Sequence, residues 1–356
     1  MPLTLHIDTP RWREHVRDRL ADPSGPDDGT AAVRVVPVTK GNGYGFGNGL
    51  LAAEAAAADV PTLAVGTSDE VETVRRAFDG DVLVLAPLRP WDAATADDRV
   101  VRTVSRVEDL RRLAAAGGRP RVVIELLTSM RRHGVALADL PEALTACEPL
   151  RVEGFALHLP LAGQHGAEAR SLAEQAFAAA GEHGPDVPRR LWVSHLSAAE
   201  AADLARRTAA DVNLRVGTAL WLGDRAALTA RATVIDVHDV RRGDTFGYRQ
   251  RRARRDGTVA VVAGGTAHGV ALEAPTPATG VRQRAVALAK GGLESAGRAL
   301  SPFRVAGRQR WFAEPPHMQC SMIWLPGGVE VPAVGDEVDV DVRFTITHVD
   351  RIAWDG

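Results

Sequence analysis

Lysine is nearly absent from this chain. Among its 43 Lys and Arg residues only Lys40 and Lys290 are lysines, so arginine carries almost all the positive charge. Tyrosine is as scarce, with two, Tyr44 and Tyr248. The two cysteines, Cys147 and Cys320, lie too far apart in sequence to read as a metal or disulfide framework. No apolar run approaches the ~18 residues that a membrane span requires. Charges throughout residues 1–20 leave no room for a signal peptide's apolar segment. A cytoplasmic protein is therefore the expectation. The formal net charge of -2 gives no electrostatic reason to expect nucleic acid or an anionic membrane as a partner. What is present is a globular composition, 45% hydrophobic and 25% charged over 356 residues. That length accommodates one large α/β barrel and a smaller domain, or two ordinary domains.

Short β-branched runs alternate with Ala/Glu/Arg-rich stretches over residues 31–220. "AVRVVPVT", "PTLAVG", "DVLVLA", "RVVRTV", "RVVIELL", "RVEGFALH", "RLWVSH" and "DVNLRV" read as strands. Amphipathic segments such as 68–78 and 105–117 lie between them, with Ser68 and Ser105 placed as helix caps. Eight β/α units predict a closed parallel (β/α)8 TIM-type barrel over residues 9–225, with an open doubly wound sheet as the alternative. From 226 to 356 the pattern becomes alternating strands and turns, a mostly β domain that the strand-like residues 1–8 could join. Within it 281–299 reads as a helix, and 336–354 as strand. "DPSGPDDG" (22–29) reads as a surface turn.

The segment "VRVVPVTKGNGYGFGNG" (33–49) places Lys40 where a strand stops and a glycine-rich loop starts. A nucleotide-binding P-loop is excluded, because its glycines precede the lysine and Ser or Thr follows. A phosphate-contacting or salt-bridged lysine remains open. So does covalent chemistry with a carbonyl, the one task for which arginine cannot substitute. Barrel enzymes keep their active sites at the C-terminal strand ends, where Lys40 falls.

"VPVTKGNGYGFG" resembles the cofactor-lysine segment of alanine racemases, fold-type III enzymes that use pyridoxal 5'-phosphate. The resemblance implies a barrel followed by a β domain, Lys40 as the covalent cofactor ligand, and Tyr44 on the cofactor phosphate. "MRRHGV" resembles the segment that would make Arg132 a partner of the ring oxygen and the substrate carboxylate. "EGFALHL" places His158 near the ring, and "VSHLSAAE" makes Ser197 a phosphate ligand. "NLRVGTALWLG" implies Arg215 at the pyridine nitrogen, with Gly217 and Thr218 as backbone donors to phosphate. "GDTFGYRQ" resembles the segment of the second catalytic base, so Tyr248 would act on the barrel of a partner subunit in a homodimer with shared active sites. "HMQCSM" implies that the backbone of Met318 meets the substrate carboxylate.

Some positions depart from the family. Glu125 stands where many members carry a carbamylated lysine that faces Arg132. Thr266 replaces a tyrosine that narrows the entrance, and the C-terminal segment lacks another, with His348 as a loose match. These changes leave open whether the substrate is alanine or a larger amino acid. The basic run after Tyr248 reads as a solvated hairpin tip, since no aromatics interleave it. His317 and Cys320 could offer two zinc ligands for a metal-assisted D-amino-acid lyase, yet no third accompanies them; no metal is expected. A decarboxylase of the same fold, or a homologue that binds cofactor without racemase activity, completes the alternatives.

Overall fold

A computed structural model describes residues 2–21, 31–92, 97–183, 186–272 and 299–356. Lys290 and residues 281–298 of the helix expected at 281–299 lie outside the described residues, as does the turn at 22–29. Two compact units are present. One comprises Arg13–Gly43 and Gly47–Gly223; the other comprises Met1–Trp12, Tyr44–Phe46 and Asp224–Gly356.

The first unit is a closed parallel barrel. After β1 (Leu3–Asp8), which belongs to the other unit, its strands run β2 (Val33–Thr39), β3 (Thr62–Val65), β4 (Asp81–Val84), β5 (Val100–Val104), β6 (Arg121–Leu126), β7 (Arg151–His158), β8 (Arg190–Ser194) and β9 (Asp211–Val216). The eight runs read from the sequence are these eight strands, and β9 pairs with β2 to close the ring, which removes the open-sheet alternative. Val36, Val38, Ala64, Leu83, Val101, Val123, Ala156 and Trp192 form one buried cluster. Side chains two residues apart share a face of a strand. On β6, β7 and β8, the residues two positions beyond the apolar Val123, Ala156 and Trp192 are Glu125, His158 and Ser194. On β9, Arg215 follows Asn213 in the same way. The interior thus turns from apolar to polar toward its C-terminal mouth.

A bulge sets this polarity on β7. The β6–β7 register jumps between Val122 and Ile124, so β7 carries one additional residue. Gly154 absorbs it at φ 115, where a Cβ would lie 2.2 Å from the Arg190 carbonyl oxygen. Past the bulge, Phe155 packs edge-on against Phe177 of the helix Gly166–His183, and Ala156 and His158 take the opposite face. Without the shift, His158 would point to the helix layer. At the N-terminal face, buried Glu153 pairs with Arg121 (2.7 Å), Arg190 (2.9 Å) and Arg151 (3.0 Å), an ionic network remote from the mouth.

The helix caps differ from expectation by a residue. Thr67 rather than Ser68 caps the segment that begins at 68, because Glu70 folds back onto the Thr67 N–H (3.3 Å). Arg106 rather than Ser105 precedes the helix Val107–Ala115, and Ser105 instead meets Arg89 (3.2 Å).

The second unit is one sheet in the order β13-β16-β15-β14-β17-β10-β1-β18, beside the two-stranded ribbon β11-β12. Its strands are β10 (Leu228–Val240), β11 (Thr245–Phe246), β12 (Arg251–Arg252), β13 (Gly257–Ala263), β14 (Leu300–Val305), β15 (Arg308–Phe312), β16 (Cys320–Pro326), β17 (Glu337–Val340) and β18 (Arg351–Asp355). An additional β10–β13 pairing bends the sheet back on itself around Leu3, Val234, Phe303, Ile323 and Leu325. β1 pairs antiparallel with β10 and parallel with β18. The strand expected across 336–354 is interrupted. Backbone turns onto the Arg343 carbonyl at Ile346 and Thr347 break the alternation there. Among the described residues, no helix is long and apolar enough to cross a membrane.

Candidate active site

The barrel register brings the predicted polar residues together. His158 lies opposite Ser194, Ser194 opposite Arg215, and Arg215 opposite Val36, four residues before Lys40. Lys40 keeps solvent access at the mouth, yet the surrounding walls lower its pKa from the usual lysine range. Burial is the first cause; the nearby Arg132 and Arg215 charges add to it, and Glu70 opposes. A lowered pKa raises the fraction of neutral, nucleophilic amine at working pH.

The loop that follows is held from several sides. Gly43 N–H donates to the Lys40 carbonyl (3.0 Å), and Asn48 Nδ2 donates to the Gly41 carbonyl (3.2 Å). Gly41, Gly43, Gly45 and Gly47 all have positive φ, as does Tyr44 at 56°, which accounts for the alternating glycines. Tyr44 is buried and groups with the second unit.

Glu70 is a participant that no sequence motif revealed. Its carboxylate accepts the N–H groups of Gly41 (2.7 Å) and Gly66 (2.6 Å), tying the Lys40 loop to the end of β3. A Cβ on Gly66 would lie 2.9 Å from both Lys40 Cβ and Glu70 Oε2. The Gly66→Ala variant should therefore fold but displace Lys40. An ~1 Å misplacement of a reacting group costs about 10²-fold in rate. Amine reactivity toward an aromatic aldehyde, compared at equal folded concentration, checks this; unchanged reactivity would remove Gly66 from the site.

Arg215 is 7% exposed, and its guanidinium donates to the carbonyls of Leu157 (2.8 Å) and Val193 (3.4 Å). Burial pushes its pKa down to about 10, against the raising effect of Glu125. Glu125 is 2% exposed, and its Oε2 has no hydrogen-bond partner among the described residues. Burial raises its pKa while Arg215, Arg132 and Arg89 pull it down. His158 is pushed down to about 3 by burial and then by the Arg215 and Arg132 charges, so the imidazole stays neutral. Its Nδ1 lies 3.0 Å from Ser194 Oγ, and its ring packs 5.2 Å from that of His195. His195 was not singled out from the sequence; a φ of 62° and a 2.7 Å contact to the Leu159 carbonyl fix it beside His158.

Beyond β8, Ser197 caps the helix Ala198–Thr208. Its Oγ accepts the Glu200 N–H and donates to Glu200 Oε2 (2.8 Å). Gly217 precedes the single turn Thr218–Trp221, and its carbonyl accepts from Leu220 (3.0 Å) and Trp221 (3.1 Å).

Tyr248 and Met318 lie in the β unit, 85% and 70% exposed. The Tyr248 ring rests on the His317 imidazole with centroids 4.6 Å apart. Cys320 Sγ is 3.8 Å from His317 Nδ1, but Nε2 is engaged by Glu314. Among the described residues, no group of three His, Cys, Asp or Glu could hold a metal.

The family profile described as alanine racemase, N-terminal domain, matches residues 28–225. The chain belongs to the alanine racemase family. One alanine racemase, from Mycolicibacterium vanbaalenii, is 34% identical over 266 residues, a match that spans 66% of this chain and 66% of the relative's length. Solved alanine racemases share the fold across both units. That of a D-cycloserine-producing Streptomyces lavendulae has a TM-score of 0.68 at 21% identity, covering 100% of this chain and 97% of its own. That of Bartonella henselae, with covalently bound pyridoxal phosphate, has a TM-score of 0.66 at 16% identity and full coverage of both chains.

Proposed function

We propose that this chain is a pyridoxal-phosphate-dependent amino-acid racemase that works in the cytoplasm as a homodimer with shared active sites. The gathering of Lys40, Arg132 and Arg215 carries the reading, since both arginine charges lower the lysine and the Arg132 charge also lowers Arg215. Glu125 is the buried acid among them, and burial opposes its charge. Cations so placed repel in the cofactor-free protein, and a bound group bearing phosphate and ring oxygen relieves that repulsion. A reactive amine, a neutral imidazole face and a buried guanidinium fit the ends and faces of pyridoxal phosphate. The relatives' name and the cofactor in the Bartonella henselae neighbour support the same group.

The cofactor, when bound, would draw electrons from the substrate Cα and make its proton removable. Lys40 holds it and, with its amine free, moves a proton at Cα on one face. Tyr248 of a second copy does so on the other, and a proton removed on one side and returned on the other inverts the centre. Arg132 would orient the cofactor ring oxygen and the substrate carboxylate, which the Met318 N–H would also meet. His158 would lie against the ring. Arg215, at the pyridine nitrogen, would disfavour a ring proton and so limit competing reactions. Tyr44, Ser197, Gly217 and Thr218 hold the phosphate; for Ser197 this requires turning its hydroxyl away from Glu200.

Borohydride reduction of purified protein followed by peptide mass mapping should place the cofactor on Lys40. In heavy water, alanine or a larger amino acid should then gain deuterium at Cα while losing optical purity. The panel includes larger side chains because Thr266 stands at the position of the tyrosine that narrows the family's entrance. A protein that retains no pyridoxal phosphate would overturn the assignment, and carbon dioxide or ammonia release would redirect it.

A further inference from the structure

Tyr248 is almost fully exposed, yet its support is specific. Glu314, a buried carboxylate, accepts the Tyr248 backbone N–H through Oε2 (2.8 Å). Its other oxygen, Oε1, lies 2.6 Å from His317 Nε2, and the imidazole of His317 carries the phenol ring. One side chain therefore fixes both the main chain of Tyr248 and the surface under its ring. With Nε2 against Glu314, the other ring nitrogen, Nδ1, faces Cys320 Sγ at 3.8 Å. The His317 main chain is held as well, since its carbonyl accepts from Thr266 (2.8 Å) and its N–H donates to Cys320 (2.9 Å). Gly247 makes the arrangement possible: a Cβ there would lie 2.1 Å from Glu314 Oε2.

We propose that Glu314 and His317 form a positioning pair that orients Tyr248 for proton transfer. This rests on the racemase reading, in which Tyr248 serves one face of Cα. The pair acts through Tyr248 and touches no reacting atom. An exposed phenol samples many orientations, whereas the imidazole shelf and the pinned main chain restrict it before a second copy docks. Proton transfer demands hydrogen-bond reach and alignment, so that restriction feeds into turnover rather than into substrate binding.

Two measurements test it. Because the chain has two tyrosines, ring-13C tyrosine labelling gives two signals in the full-length protein. Glu314→Ala and His317→Leu should move the Tyr248 signal and abolish its cross-relaxation with residue 317, while an unmoved Tyr44 signal reports an intact fold. Glu314→Gln, whose amide oxygen can still accept the Tyr248 N–H, should move it less. In turnover, Glu314→Ala should lower kcat about 10²-fold, as for a reacting group misplaced by ~1 Å, with KM nearly unchanged and partial rescue in Glu314→Gln. Exchange with retained configuration, supported by Lys40, should persist, so the ratio of exchange to inversion rises toward that of Tyr248→Phe. A Tyr248 signal or a ratio unchanged in Glu314→Ala overturns the pair. A wild type that neither exchanges nor inverts would instead sink the racemase reading, and the tyrosine signal alone would then decide whether the pair orients the ring.

Discussion

The Lys40→Ala variant should fold, retain no reducible pyridoxal phosphate, and lose α-proton exchange by at least about 10⁴-fold, the upper range for one positioned acid–base group. Folding is expected to survive because Lys40 is a burden on the native state. Its folded pKa lies below the unfolded value, owing to burial and then to Arg132 and Arg215. Between the two values the unfolded chain binds more protons, so stability rises with pH through that window, and below the folded pKa the penalty is complete. Removing the amine lifts that penalty, so near neutral pH the cofactor-free variant should match or exceed wild type in urea unfolding. Lys40→Arg separates charge from chemistry. It keeps a cation in the mouth but has no primary amine that can lose its proton, and it should fail as completely as alanine. Reduction with labelled borohydride and a deuterium exchange assay measure both effects. Cofactor still trapped at wild-type stoichiometry in Lys40→Ala would place the covalent site elsewhere.

Local pattern predicts strands where both faces are buried, and this decides which parts of the molecule were readable. Runs such as "RVVIELL" and "DVNLRV" are apolar on both sides because helices cover the barrel and side chains fill it. Lys40 and Arg215 were readable for a related reason: each ends such a run and belongs to a contiguous motif. Glu70, Ser194 and His195 escape a reading of the sequence, because their relation to Lys40 and His158 is made laterally, between neighbouring strands and the loops that follow them. The bulge at Gly154 was equally hidden, although it determines which face of β7 carries His158. In the β domain, alternation continued through "DVRFTITHVD" where hydrogen bonds to the Arg343 carbonyl turn the chain. His317 drew attention as a metal ligand beside Cys320. Its partner is Glu314, three residues earlier across two prolines in a turn without periodicity.

Arg215 decides whether the polar mouth is stable without its cofactor. Replacing it with methionine keeps much of the volume, so cavity formation is a minor cost. Two buried carbonyls, of Leu157 and Val193, lose a donor, and Glu125 loses the cation that lowers its pKa most. Relief of repulsion with Arg132 works the other way, but Arg132 sits at the exposed mouth, where solvent screens its charge. The loss should therefore win, by about 2 kcal/mol, in the range for leaving buried acceptors without a donor. The deficit should depend on pH. Burial raises the folded pKa of Glu125 above its unfolded value, so the native state holds that proton more tightly. Stability attached to this carboxyl is lost as pH rises from the unfolded pKa through the folded one, and is restored as pH falls. Without Arg215 the folded pKa climbs further and widens the window, so Arg215→Met should lose more stability at pH 8 than at pH 5. Adding Glu125→Gln to the variant should restore most of the pH 8 deficit, because a neutral amide needs no cation opposite it. Denaturant midpoints of the full-length, cofactor-free single and double variants at both pH values give the coupling directly. Additive effects would show that Arg215 serves the carbonyls alone and that Glu125 is balanced by Arg132.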